Sequence, residues 1–106
     1  MPKYLAKVSF TPEGIKGLRE VGAVARREAG VSITASIGGT QEAYYFAFGE
    51  DDVIAIFDLP DDEAAAALSI AVNAAGAAKA TFTKLLTAEQ VDEAFKRTVA
   101  YRPPGQ

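Results

Sequence analysis

The side chains that could do chemistry in this chain fall into four groups. Glu50-Asp51-Asp52 is a run of three acids between two β-type stretches, and Asp61-Asp62-Glu63 follows Pro60. Carboxylate oxygens are the hard donors that a divalent cation takes. Three consecutive acids in a turn do not converge readily on one ion, and the chain lacks the loop length of a dedicated calcium site. The plainer expectation is a solvated hairpin turn in which Gly49 takes an unusual φ. At 61–63 it is a helix start whose positive end is matched by acids. No metal and no cofactor are expected. The third group is Lys7 with Asp58. By alternation Lys7 shares a face with Leu5 and Ser9, and Asp58 shares one with Ile54 and Ile56. With Thr81, Thr83 and either Tyr44 or Tyr45 they would line a mostly apolar pocket carrying a few polar groups, the usual anatomy of a small-molecule site. A lysine held there would have a depressed pKa and could act as a base. An interface ion pair, or a lysine snorkelling at the mouth of a barrel, is the simpler reading. The fourth is Arg102 beside Pro103-Pro104, read as a tail that rests on a neighbouring subunit.

What the chain lacks narrows the chemistry further. It has no cysteine, so disulfides, thiol nucleophiles, Fe–S clusters and thiolate metal sites are excluded, and no histidine, which removes the commonest metal ligand and general base. Eleven basic and fourteen acidic residues leave a net charge of −3, with the basic ones scattered in groups such as Arg26-Arg27 and Lys96-Arg97. No stripe suited to phosphate neutralisation results, and nucleic acid is not an expected partner. Gly38-Gly39 follows a helical pattern and leads into a strand, the reverse of the order in a nucleotide fingerprint. No apolar run approaches the roughly 18 residues of a membrane span, and the N-terminus has no secretory pattern, so a cytoplasmic location is the default expectation.

The elements that must position these groups read clearly. At 106 residues with 49% hydrophobic and 24% charged side chains, one globular domain is expected. Residues 3–10 alternate as a strand. Thr11-Pro12 caps a first helix that carries Ile15, Leu18, Ala25, Ala29 and Ile33 and stops at Gly38-Gly39, with an irregularity expected near Gly30. Strands follow at 41–48 and 52–59, closed by Pro60. Asp61 caps a second, alanine-rich helix ending near Gly76, residues 78–86 form a fourth strand, and Thr87 with Gln90 opens a last helix running to about Thr98. The order β-α-β-β-α-β-α predicts an α+β domain: a ferredoxin-like antiparallel sheet of four strands with helices on one face.

That closure leaves the other face in question. Both faces of the hairpin are apolar, with Tyr44, Phe46 and Phe48 against Ala43, Tyr45 and Ala47, and Val53, Ala55 and Phe57 against Ile54 and Ile56. A sheet solvated on one side should show polar residues there. A second subunit is therefore expected to cover it.

Tyr45-Phe46-Ala47-Phe48-Gly49-Glu50-Asp51-Asp52-Val53, then Asp58-Leu59-Pro60, Ala64-Ala65-Ala66-Ala67-Leu68 and the ending Tyr101-Arg102-Pro103-Pro104-Gly105, resemble the GYD domain family over almost the whole chain. The signature Gly-x-Tyr-Asp aligns with Gly49, Glu50, Asp51 and Asp52, so Asp51 stands where the family has tyrosine. The resemblance implies a bacterial protein of the dimeric α+β barrel type, hence a homo-oligomer with sheets packed together, and it names no reaction. The expectation is a small binding protein that holds an apolar or aromatic ligand between paired sheets. A cofactor-free oxygenase or isomerase, and a purely structural assembly subunit, are the alternatives.

Overall fold

The computed structural model describes residues 1–106. Its elements are β1 (Lys3–Phe10), α1 (Pro12–Val21), α2 (Ala23–Ala35), β2 (Thr40–Phe46), β3 (Val53–Asp58), α3 (Asp62–Ala75), β4 (Ala78–Leu85) and α4 (Ala88–Phe95). The four strands form one antiparallel sheet in the order β2-β3-β1-β4, so β1 and β3 are central. This is the α+β, ferredoxin-like arrangement that the element order predicts. No helix is long and apolar enough to cross a membrane.

The first helix differs from expectation. It is two helices, and the break falls at Gly22 rather than Gly30. Gly22 sits at φ 93°, a region that favours glycine; its N–H closes α1 on the Leu18 carbonyl at 2.7 Å while its own carbonyl opens α2 by accepting from Arg26. Gly30 stays helical because it is needed as a buried contact: a Cβ there would lie 2.2 Å from Gln41 Oε1. The other caps fall where the spacing places them. Thr11 Oγ1 accepts from Gly14 N–H, Asp61 Oδ1 from Ala64 N–H, and Thr87 with Gln90 makes a reciprocal capping box, although α4 ends at Phe95 and not at Thr98.

Helices α1 to α3 cover one face of the sheet. Tyr4, Ala6, Val53, Ala55 and Phe57 are buried there beneath Ala65 and Leu68 of α3. At the outer edge of β4, Asn73 uses both ends of its amide, accepting from Ala80 N–H at 2.8 Å and donating to Ala80 O at 3.0 Å, which satisfies backbone groups that an edge strand leaves open. Strand β2 carries a bulge between Gln41 and Ala43. The extra residue, Glu42, reverses the alternation and turns Gln41 toward the helices, where its Nε2 donates to Arg27 O.

The β2–β3 connection is fastened to β1. Asp52 N–H donates to Val8 O at 2.8 Å, its carboxylate accepts from Phe10 N–H at 2.8 Å, and Ser9 Oγ donates to Glu50 O. Gly49, at φ 145°, lets the loop fold back. Phe48 lies in this loop, outside β2, and is fully exposed.

The C-terminal part projects. Helix α4 buries no residue, Phe95 on its apolar stripe is 78% exposed, and the tail from Lys96 to Gln106 is exposed throughout. The radius of gyration is 16.9 Å, against about 13 Å for a compact chain of this length.

Candidate functional site

On the face away from the helices, register assembles the sequence-predicted residues into rows. Tyr45 pairs with Ile54, Ile54 with Lys7 and Lys7 with Thr81, so these four side chains cross the sheet side by side. The next row is Ala43, Ile56, Leu5 and Thr83. Neighbouring members of a row are within about 5.5 Å at the backbone, close enough for their side chains to interact. The result is an apolar band of Ala43, Tyr45, Ile54, Ile56 and Leu5, with Lys7, Thr81 and Thr83 along one side. Tyr45 is 70% exposed, and Lys7, Thr81 and Thr83 are exposed with it.

Asp58 and Tyr44 are placed elsewhere. Asp58 shares the outer face but stands four residues along β3 from the Lys7 row, roughly 13 Å away at strand rise. Its partner is Lys3, at 2.8 Å, and Lys3 also reaches Glu42 at 2.9 Å. The Asp58 hydrogen bond, followed by that of Glu42, raises the Lys3 pKa above its ordinary value. This group ties β1, β2 and β3 together at one end of the sheet and does not pair with Lys7. Tyr44, opposite Ala55, is on the helix side, packed edge-on to Phe46 with ring centroids 5.6 Å apart.

The helix side holds a feature that sequence reading missed. An outer cavity of about 580 Å³ lies between α1, α2 and α3. An inner chamber of about 50 Å³ reaches toward Tyr44 and Phe57. Arg26, Ile33, Leu68, Val72 and Phe10 line both, so the two are continuous. The signal was present as Arg26, Gly30, Ile33 and Thr34, a single cation on an otherwise small and apolar i, i+4, i+7, i+8 stripe. Burial raises the pKa of the Tyr44 phenol, and Arg26, through its charge and its side-chain hydrogen bond to the phenol oxygen, opposes the shift without cancelling it.

A third polar group lies at the edge of the core. The Tyr4 hydroxyl donates to Asp62 Oδ1, which also accepts from Lys84 Nζ at 2.9 Å. The hydrogen bond to Asp62, with desolvation, pushes the Tyr4 pKa up to about 12, and that same bond, with Lys84, lowers the pKa of Asp62. Tyr4 is thus a neutral donor at physiological pH, not a base. The Tyr4 contribution to stability is complete below pH 10 and is lost as pH rises through about 12; that of Asp62 is present above the ordinary carboxylate range and is lost as pH falls through its lowered value. Ultraviolet titration of the four tyrosines should show one phenolate appearing last, at about 12, and Tyr4→Phe should remove that step. A titration curve left unaltered by Tyr4→Phe at its high-pH end would contradict this assignment.

Neither acidic run gathers a set of three carboxylates that could hold a metal ion. Residues 4–95 match the GYD domain, which is most of the 106-residue chain. The chain belongs to the GYD domain family. No curated protein and no solved structure matches it. In this GYD domain Gly49 and Asp52 of the β2–β3 loop have structural roles. Gly49 supplies the φ that folds the loop back, and Asp52 holds the loop to β1 through its backbone N–H and its carboxylate.

Proposed function

We propose that this GYD protein is a homo-oligomeric binding protein in which a second copy covers the outer face of the sheet and a small apolar or aromatic molecule is held between the two sheets. The observation that carries this reading is the band of Ala43, Tyr45, Ile54, Ile56 and Leu5, contiguous across three strands with no helix over it. Contiguous apolar surface of this kind on a soluble chain marks an interaction site. A two-fold axis through the band would let it pack on its own copy. Tyr45 supplies a large amphipathic surface there, and Lys7, Thr81 and Thr83 supply the polar groups that would orient a ligand. The projecting α4 and tail add support, since an amphipathic helix with no buried residue has its apolar stripe free for a neighbour.

Native mass spectrometry of the purified protein, followed by release of bound small molecules, tests the reading. The expected result is a multiple of the 11.2 kDa chain mass carrying an added small molecule. Tyr45→Ala should lose that molecule while keeping its circular dichroism spectrum. An oligomer that carries nothing, with no bound mass recovered from wild type, would reduce the protein to a structural assembly subunit.

A further inference from the structure

We propose that the cleft between α1, α2 and α3 is a second binding site, independent of the paired-sheet reading, and that it takes an apolar carboxylate with the acid group on Arg26 and the hydrocarbon body between the helices. An outer cavity of about 580 Å³ lies within the range of small-molecule sites, roughly 300–1,000 Å³, and ten of its fourteen lining residues are hydrophobic. It is continuous with the inner chamber through shared walls, so a ligand body in the outer cavity ends against Phe10, Leu68 and Val72.

Arg26 sets the ligand class. Arg26 is half-buried, lines both cavities and takes part in none of the five ion pairs of the chain; its polar neighbour is the uncharged Tyr44 hydroxyl, which leaves the guanidinium without a counter-charge. The adjacent Arg27, pointing out of the cleft, pairs with Glu28 at 3.1 Å. A guanidinium stays protonated at any physiological pH, and a partly buried charge in apolar surroundings is ordinarily paired. The partner that suits a planar guanidinium is a carboxylate, which it can hold by two parallel hydrogen bonds. Tyr44 lines the inner chamber and, with its pKa raised by burial, keeps its hydroxyl proton for a second donor contact. Glu13, the other charged residue of the outer cavity, is exposed in the first turn of α1 and is left in water. The cleft therefore offers one positive head position and an apolar body, which is the chemistry of a fatty or aromatic acid.

Isothermal titration calorimetry with octanoate, and with octanol as the neutral analogue, tests the site on the full chain. Wild type should bind octanoate at least tenfold more tightly than octanol. Arg26→Gln should remove that preference and leave octanol binding unchanged. Ala71→Phe, an exposed position of α3 that lines the outer cavity, should abolish binding of both by filling the space. Equal affinity for the two ligands, an unaltered preference in Arg26→Gln, or no octanoate binding by folded wild type, as when a second copy fills the cleft, would each overturn the proposal. Ile56→Glu, on the opposite face, should leave octanoate binding intact, so the failure of either site is read separately from the other.

Discussion

Ile56→Glu is expected to give a folded monomer of 11.2 kDa. Ile56 lies between Leu5 and Ala43 in the middle of the outer apolar band, on the central strand β3, with its side chain directed away from the helices. A glutamate there remains hydrated in the single chain, where the face is open, so the fold loses little. In a two-fold assembly the same substitution places a carboxylate against the apolar band of the partner, once from each copy. Burying an unpaired charge costs about 3–5 kcal/mol, so each occurrence weakens association by roughly two to four orders of magnitude. Near a two-fold axis the two carboxylates also repel one another. Size-exclusion chromatography should move the variant to monomer volume while its thermal unfolding stays cooperative. An unchanged elution volume would place the interface elsewhere.

Gly14→Ala is expected to cost about 2–4 kcal/mol, although alanine is the better helix former. Glycine is needed at this point because the backbone of α1 touches the start of β4: a Cβ on Gly14 would stand 2.0 Å from the Ala77 carbonyl oxygen and 3.1 Å from its carbon. That oxygen already accepts from Thr11 N–H at 3.0 Å and from Thr11 Oγ1 at 3.2 Å, so moving it aside also strains the N-cap. Overpacking of this kind costs about 1–3 kcal/mol, and each hydrogen bond weakened adds about 1 kcal/mol. The melting temperature should fall by about 10–20 °C. Gly17→Ala, one turn later on the same helix, is the internal control. Nothing lies within 4 Å of the Cβ it adds, so the intrinsic preference prevails and stability should rise by about 0.5–1 kcal/mol. Thermal denaturation of the two variants checks both signs, and a stabilising Gly14→Ala would contradict the packing of α1 on β4.

The pairing of strands and the caps were legible because each is governed by local chemistry. Thr11-Pro12, Asp61 and Thr87–Gln90 act within one turn of themselves, and alternation along β1, β3 and β4 holds without interruption. Three points were not legible, each for a reason that depends on the folded state. Of several glycines in one helical pattern, Gly22 breaks the helix while Gly30 does not, because Gly30 is held by its contact with Gln41. The bulge at Glu42 inverts alternation at the start of β2, which no period-two reading can anticipate. Register sets Asp58 against Lys3 rather than Lys7, since alternation fixes the face of a side chain but not its height along the strand. The candidate site shows the same division. Lys7, Tyr45, Thr81 and Thr83 share a face as alternation implies, whereas the cleft around Arg26 depends on how α1, α2 and α3 pack over the sheet, which only the folded state sets.

Covering of the outer sheet face by a second copy is the central claim, and sedimentation equilibrium of the full chain at micromolar concentration tests it most directly. The expected mass is at least twice 11.2 kDa. A single species at 11.2 kDa across the concentration range would contradict it.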